Sequence, residues 1–121
     1  MEQLPLILYV DRVESCEIME ILFRQVGFQV ISIQSAKDAL QLAQQHYFSA
    51  VVTEYLLEDL PADQFCQELK KNNPRLPVIF YSAESRNEHR EKCLSAGAEA
   101  FLVKPNDLDH IEKTVMELAL T

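Results

Sequence analysis

The sequence predicts an α/β domain, (βα)5, built on a doubly wound, five-stranded parallel sheet. Three observations predict it. Short apolar runs, typical of strands covered on both faces, alternate five times with segments of helical periodicity. The connections between them are short, as in compact α/β domains. The chain has 121 residues, 48% of them hydrophobic, and shows no linker-like stretch. We therefore expect a single domain spanning residues 1–121.

The first strand and the first helix have clear sequence signals. Residues Leu6–Val10 are apolar throughout, which predicts a buried parallel strand. A helix is expected over residues 14–26, and Gly27 is a natural C-terminal stop. The predicted apolar stripe of this helix comprises Ile18, Met19, Leu22, Phe23 and Val26.

The middle of the chain continues the alternation. An edge-like strand is expected over residues 28–33, followed by a helix over residues 36–46 that Ser35 can cap. The third strand is Ala50–Thr53, and Pro61 suits the first turn of a third helix. The predicted inward-facing residues of these two helices are Ala39, Leu40, Ala43, Phe65, Cys66 and Leu69.

The last third completes the pattern. Pro77 opens a fourth strand over residues 78–81, and a fourth helix is expected over residues 86–96, ended by Gly97. The fifth strand is expected over residues 101–103. A fifth helix is predicted where apolar residues recur at helical spacing, namely Leu108, Ile111, Val115 and Leu118.

The composition argues against several classes of function. With 19 acidic and 11 basic residues the formal charge is −8, a field that repels phosphate backbones, so we expect no nucleic-acid binding by this domain. The longest apolar run, residues 4–10, is too short to span a bilayer, and residues 1–3 lack the basic start of a signal peptide. We therefore expect a soluble, cytoplasmic protein without membrane contact.

The cysteines and histidines carry no obvious site. Three well-separated cysteines, Cys16, Cys66 and Cys93, form no C-x-x-C or Cys/His cluster, which predicts reduced thiols in a reducing compartment. None of the three histidines follows a predicted strand, so each is interpreted as a solvated surface residue. These residues are His46, His89 and His110.

Chemically useful side chains do follow the predicted strands. Ligand and catalytic groups of parallel α/β sheets lie at the carboxyl ends of the strands, where this chain has Asp11, Glu54, Ser82 and Lys104. The chain has only two glycines, Gly27 and Gly97, and no Gly-rich phosphate loop. There is also no G-x-S-x-G elbow, so Ser82 is not expected to be a hydrolase nucleophile.

These residues and their surroundings resemble the receiver domains of response regulators in two-component signalling, over the whole chain. The matching segments are LILYVDR (6–12), AVVTEYLLEDLP (50–61), PVIFYSAES (77–85) and AGAEAFLVKP (96–105). The last two are the most specific. The resemblance implies a flavodoxin-like, CheY-like fold and a role in phosphorelay signal transduction.

The resemblance also assigns roles to individual positions. Family members bind Mg²⁺ through a pair of acids after the first strand and through an acceptor aspartate after the third. In this chain Asp11 matches the first acid, but Arg12 stands at the second, and Glu54 stands at the phosphoacceptor position. Ser82 matches the switch hydroxyl and Lys104 the lysine that grips the phosphoryl oxygens.

Four further positions can be compared with the family. Phe101 matches the switch aromatic, and Leu56 stands where only a backbone carbonyl is lent to the metal. Pro61 and Ala62 depart from the family's usual acidic-glycine turn.

The two departures, Arg12 and Glu54, predict an altered site. If Asp11, Glu54, Arg12 and Lys104 all converge, the site is neutral without a metal. Mg²⁺ needs near-octahedral oxygen ligation, so we expect its binding to be lost or very weak, with no other cofactor and no catalytic residue. Glu54 is longer than aspartate by one methylene, a displacement that can cost about 100-fold in a positioned reaction. We therefore do not expect an enzyme, but a phosphorylation-independent interaction module, or pseudo-receiver.

Several alternatives stay open at this stage. Glu54 can be a drifted residue that merely pairs with Lys104, and Arg12 can point to solvent beside the first helix. Ser82 can simply satisfy a turn, and Phe101 can be ordinary core. Glu14 is a poor candidate for a substitute metal ligand, because its register is wrong.

Three functions compete. The preferred one is binding of a protein partner, a histidine kinase or downstream effector, through the face of helix 4, strand 5 and helix 5, by a monomer or weak dimer. The second is a working phosphoacceptor switched by a histidine kinase, although Asp59, the only nearby aspartate, lies too far from the strand end to replace Glu54. The third, a flavin-binding domain, lacks a phosphate loop. For the preferred function we expect Phe101 buried and Ser82 turned toward Glu54, which resembles the family's active state.

Overall fold

A computed structural model describes residues 4–120 as an alternating α/β domain. The strands are β1 (Leu6–Val10), β2 (Gln29–Ile33), β3 (Ala50–Thr53), β4 (Val78–Ser82) and β5 (Ala100–Val103). The helices are α1 (Val13–Gln25), α2 (Ala36–Gln45), α3 (Ala62–Asn72), α4 (Asn87–Ser95) and α5 (Leu108–Ala119). All ten elements therefore occur in the predicted order, and their ends differ from the predicted ends by a residue or two.

The strands form a single parallel sheet in the order β2-β1-β3-β4-β5. Side chains alternate between the two faces of each strand, so each central strand contributes to two apolar layers. One layer packs Leu8, Val51 and Phe80 against α2, α3 and α4. The other packs Tyr9 and Val52 against α1 and α5. The doubly wound prediction is confirmed.

Local signals fix the helix ends. The Ser35 side chain accepts a hydrogen bond from Asp38 N at 3.2 Å, as an N-cap does. Gly27 and Gly97 follow α1 and α4 with φ angles of 100° and 112°, left-handed values that residues with a Cβ rarely adopt. The predictions for these three residues are confirmed, whereas Pro61 lies one position earlier than predicted, as the N-cap of α3.

Two predicted core residues are exposed. Ile18 on α1 has 65% of its surface exposed, and the buried stripe of that helix is instead formed by Cys16, Met19 and Phe23. Leu108, at the start of α5, is 41% exposed. Both predictions were wrong, and the reasons differ: Ile18 lies about 100° around α1 from Met19 and thus outside the buried face, whereas Leu108 is the first residue of α5, at the end of its apolar stripe.

The three cysteines are free thiols in the interior. Cys16 lies in the layer beneath α1, and Cys66 and Cys93 lie in the opposite layer. Burial raises the pKa of Cys66 to about 11 and that of Cys93 to about 12, so both remain protonated at neutral pH. Within residues 4–120, no helix is both long and apolar enough to cross a membrane.

Candidate functional site

Four polar side chains meet at the carboxyl edge of the sheet. Val10 of β1 pairs with Thr53 of β3, so the next residues, Asp11 and Glu54, leave the sheet side by side. Ser82 is the last residue of β4, and Lys104 directly follows β5, the strand that pairs with β4. Asp11, Glu54 and Ser82 are all buried, at 1%, 8% and 0% exposure. These four residues were predicted to meet at one edge of the sheet, and the structure brings them together there.

Lys104 joins the two carboxylates. Its Nζ atom lies 2.5 Å from Asp11 Oδ2 and 3.1 Å from Glu54 Oε2. Burial alone lowers the pKa of Lys104, but its hydrogen bond and charge attraction to Asp11, together with the charge of Glu54, outweigh burial and raise the pKa above the ordinary value. The ammonium group is thus a permanent cation between two anions.

The other oxygen of Glu54 accepts from the Ser82 hydroxyl. Ser82 Oγ donates to Glu54 Oε1, which also accepts from Tyr55 N at 2.7 Å. Ser82 Oγ in turn accepts from Glu84 N at 3.0 Å, so the β4–α4 loop is tied to the same group. One Glu54 carboxylate therefore contacts both Ser82 and Lys104.

Asp11 has a partner that the sequence reasoning missed. Tyr9 is fully buried, and its hydroxyl donates to Asp11 Oδ2 at 2.7 Å. Arg12 N donates to the other oxygen, Oδ1, also at 2.7 Å. The only sequence signal was a tyrosine in an otherwise aliphatic strand, two residues before the acid and hence on the same face.

Arg12 does not join the cluster. Its side chain is exposed and makes no hydrogen bond or ion pair with any of residues 4–120, while its backbone forms the N-cap of α1. The condition that all four charges converge is therefore not met, and the solvent-facing alternative for Arg12 is the observed one. Asp11, Glu54 and Lys104 sum to −1 rather than to zero.

An aromatic cluster surrounds Phe101 and Tyr55. Phe101 is 2% exposed and stacks on Phe80 with ring centroids 5.9 Å apart. Tyr55 meets the edge of Phe101 at 6.3 Å and stacks on His89 at 4.7 Å. Phe101 is thus buried and Ser82 faces Glu54, as the sequence led us to expect.

His89 differs from its prediction. Its side chain is only 24% exposed, and Nδ1 lies 3.2 Å from Glu84 Oε1. The interpretation of His89 as a solvated residue was wrong, because Tyr55 covers its ring. His46 and His110 are exposed, as predicted.

Asp59 serves another element. It accepts from Ser35 Oγ at 2.8 Å, Ala36 N at 3.1 Å and Lys37 N at 2.8 Å. Burial alone would raise the pKa of Asp59, but these hydrogen bonds, led by Lys37 N, lower it. Asp59 therefore ties the loop after β3 to the N-terminus of α2 and lies outside the cluster, as its distance from the strand end suggested.

The remaining candidate positions lie outside the cluster. Leu56 is 66% exposed, and Glu14 on the first turn of α1 is exposed and has no contact with the cluster. Pro61 and Ala62 begin α3.

Hydrogen bonds already occupy most of the carboxylate oxygen positions that a magnesium ion would use. A carboxylate offers about four lone-pair positions. At Asp11, Oδ2 accepts from Tyr9 and Lys104, and Oδ1 accepts from Arg12 N. Glu54 is engaged at both oxygens. Among residues 4–120 no three His, Cys, Asp or Glu side chains form a group suited to a metal. The site is instead organised around the lysine.

Comparisons with known proteins agree on the family and the fold. A family model described as response regulator receiver domain matches residues 7–116. The transcriptional regulatory protein ZraR of Salmonella typhimurium is 30% identical over 105 residues, which cover 87% of this chain and 24% of that protein. The chain thus spans about a quarter of the length of this relative.

Two solved structures share the fold. The chemotaxis protein CheY4 of Vibrio cholerae has a TM-score of 0.87 at 18% identity, covering 96% of this chain and 99% of that one. The receiver domain of the sensor histidine kinase PA1611 of Pseudomonas aeruginosa, solved with a magnesium ion coordinated in its active site cleft, has a TM-score of 0.86 at 21% identity, covering 99% and 100%.

Proposed function

This chain belongs to the response-regulator receiver family of two-component signalling, and from that membership we propose that it is a receiver whose switch is set by its own side chains rather than by phosphorylation. The observation that carries the proposal is the double contact of Glu54. One carboxylate accepts from Ser82 Oγ and binds Lys104 Nζ. By resemblance, these are the two groups that grip a phosphoryl group in the family.

The energy of these contacts is of the order that such a lock requires. A hydrogen bond to a charged group contributes about 1.5–3 kcal/mol, so the two contacts of Glu54 contribute about 3–6 kcal/mol. Moving a two-state switch from 1:99 to 99:1 takes about 5.5 kcal/mol. Burial of Phe101 against Phe80 acts in the same direction. The inward Phe101 and the Ser82–Glu54 contact therefore support an arrangement that resembles the family's active state.

The same residues oppose phosphorylation. Phosphoryl transfer depends on positioning and on the charge of bound metal ions. Arg12 replaces a metal-binding acid, and Lys104 Nζ lies within 2.5 Å of the remaining one. We propose that Mg²⁺ binding is absent or very weak and that the domain has no catalytic turnover.

The output is proposed to be contact with a protein partner, a histidine kinase or a downstream effector. The exposed apolar residues of α4, of α5 and of the C-cap of α5 are Leu94, Leu108, Met116 and Leu120, at 36–60%. Arg90 Nη1 donates to Phe101 O at 3.1 Å, so α4 is linked directly to the switch aromatic. We place the domain in the cytoplasm, where response regulators generally act.

Incubation with radiolabelled acetyl phosphate and Mg²⁺ tests the proposal. We expect no label on the natural chain, because no acceptor aspartate and no metal site are in place. The Arg12→Asp, Glu54→Asp double variant, which restores both family residues, is the positive control. Stable labelling of the natural chain would instead establish a working phosphoacceptor.

A further inference from the structure

The hydroxyl of Tyr9 extends the hydrogen-bonded cluster into the layer beneath α1. The ring lies 6.2 Å from that of Phe23, and the hydroxyl donates to Asp11 Oδ2. Lys104 Nζ binds the same oxygen. The resemblance to receiver domains assigns no role to Tyr9, and Tyr9 does not contribute to the net charge of the site.

We propose that Tyr9 is a positioning residue that holds the Asp11 carboxylate toward Lys104 and withholds it from a divalent cation. The inference deepens the proposed function, because it names a further reason why Asp11 is a poor metal ligand. It differs from the effect of Arg12, which stands in place of a second acid and whose exposed side chain does not contact Asp11.

Two features of the geometry support this role of Tyr9. First, Oδ2 has two donors, Tyr9 and Lys104, which occupy both lone-pair positions of that oxygen. A metal ion must therefore displace one of them or use the single position left on Oδ1 beside Arg12 N. Second, Tyr9 cannot turn away cheaply, because its ring is 0% exposed and packed among aromatic and aliphatic neighbours.

The protonation state of Tyr9 supports this role. Burial, followed by the negative charge of Asp11, raises the pKa of the phenol well above its ordinary value. The hydroxyl hence remains a hydrogen-bond donor throughout the physiological pH range.

A pair of Tyr→Phe substitutions tests the proposal. Tyr9→Phe keeps the ring and removes only the hydroxyl. Tyr81→Phe is the matched control, because Tyr81 is also buried in the same layer and its ring, which lies 5.6 Å from Lys104 Nζ, is kept in the variant. The side-chain oxygens of Asp11 accept from Tyr9, Arg12 and Lys104 rather than from the Tyr81 hydroxyl. Each is placed in the natural chain and in the Arg12→Asp, Glu54→Asp variant. Mg²⁺ affinity is measured by calorimetry, and water exchange of the Lys104 ammonium protons is measured by NMR.

In the double variant we expect Tyr9→Phe to tighten Mg²⁺ binding by about 3- to 10-fold, the factor corresponding to one lost competing hydrogen bond. Tyr81→Phe should leave the affinity unchanged. In the natural chain Tyr9→Phe should accelerate exchange at Lys104 several-fold relative to Tyr81→Phe. If Tyr9 had a merely structural role, Tyr9→Phe would alter the unfolding midpoint, but the two variants would not differ in Mg²⁺ affinity or in Lys104 exchange.

Equal Mg²⁺ affinities and equal Lys104 exchange in the two variants overturn the inference, and so does weaker Mg²⁺ binding in Tyr9→Phe. If the double variant binds no Mg²⁺, the exchange measurement in the natural chain decides alone. The proposed function fails separately, through labelling of the natural chain by acetyl phosphate, whatever Tyr9 does.

Discussion

Ser82 donates its hydroxyl hydrogen to the carboxylate of Glu54, across the boundary between β4 and β3. Both side chains are buried, and the carboxylate has little access to water that could replace the serine. A polar contact in such surroundings is worth more than one at the surface, because its loss leaves a desolvated group with fewer partners.

Ser82→Ala removes this contact and leaves the Glu54–Lys104 pair intact. We expect the free energy of unfolding to fall by about 1.5–3 kcal/mol. Ser85→Ala is the control, since Ser85 is exposed, and its effect should stay within about 0.5 kcal/mol. Urea titration followed by circular dichroism measures both. Equal destabilisation by the two variants would contradict the importance of the Ser82–Glu54 contact.

The natural chain should not bind Mg²⁺ up to about 10 mM, a range in which weak sites remain detectable. The reason is that Lys104 occupies the space between the carboxylates and that their oxygens already accept hydrogen bonds. Amide shifts observed during a Mg²⁺ titration provide the measurement, with NaCl at matched ionic strength as control. Saturable shifts centred on Asp11 would show that the ion competes successfully with Lys104.

Arg12→Asp combined with Glu54→Asp should restore both Mg²⁺ binding and reactivity with acetyl phosphate, because Ser82 and Lys104 are already at the sheet edge. Glu54→Asp alone, with Arg12 retained, is the control, and it should bind the ion much more weakly. Calorimetry and radiolabelling are the measurements. Mg²⁺ binding without labelling would locate a further defect in the loop over residues 56–62.

Asp59→Ala should destabilise the domain by about 0.5–2 kcal/mol at pH 7, the usual cost of losing a helix cap. The lowered pKa sets the pH dependence. The carboxylate contributes its stability above the ordinary value of 3.8 and loses it as the pH falls through the lower folded value. The difference from the natural chain should therefore shrink only at strongly acidic pH. Glu58→Ala, at an exposed neighbouring position, should show no such effect.

Ile18→Ala and Met19→Ala compare neighbouring residues of α1 with opposite environments. Ile18 is 65% exposed and Met19 only 3%. We expect a change within about 0.5 kcal/mol for Ile18→Ala and a loss of about 2–5 kcal/mol for Met19→Ala. Thermal and urea unfolding both report the difference. Similar losses would mean that the Ile18 side chain is covered in solution.

The sequence was sufficient to predict the elements and the meeting of Asp11, Glu54, Ser82 and Lys104. Apolar periodicity defines the strands, and a parallel sheet brings their carboxyl ends to one edge, so residues far apart in sequence become neighbours. These predictions needed only backbone arrangement and no knowledge of side-chain conformation.

Side-chain contacts were harder to predict. Arg12 has many rotamers, and spacing could not say whether its guanidinium turns inward. Tyr9 was read as part of an apolar strand, although its ring is buried and its hydroxyl is polar. The role of Asp59 at α2 and the stacking of His89 on Tyr55 depend on how separate loops and helices pack, which the local pattern does not encode.

The three buried cysteines can report local unfolding of the domain through their accessibility to modification. Cys16 lies on one side of the sheet, and Cys66 and Cys93 lie on the other. An alkylating reagent reacts with a thiolate, so each cysteine can be modified only when its own layer separates from the sheet. The relative modification rates of Cys16 and of the Cys66 and Cys93 pair consequently distinguish concerted unfolding from the detachment of one helical layer, with no substitution introduced into the chain.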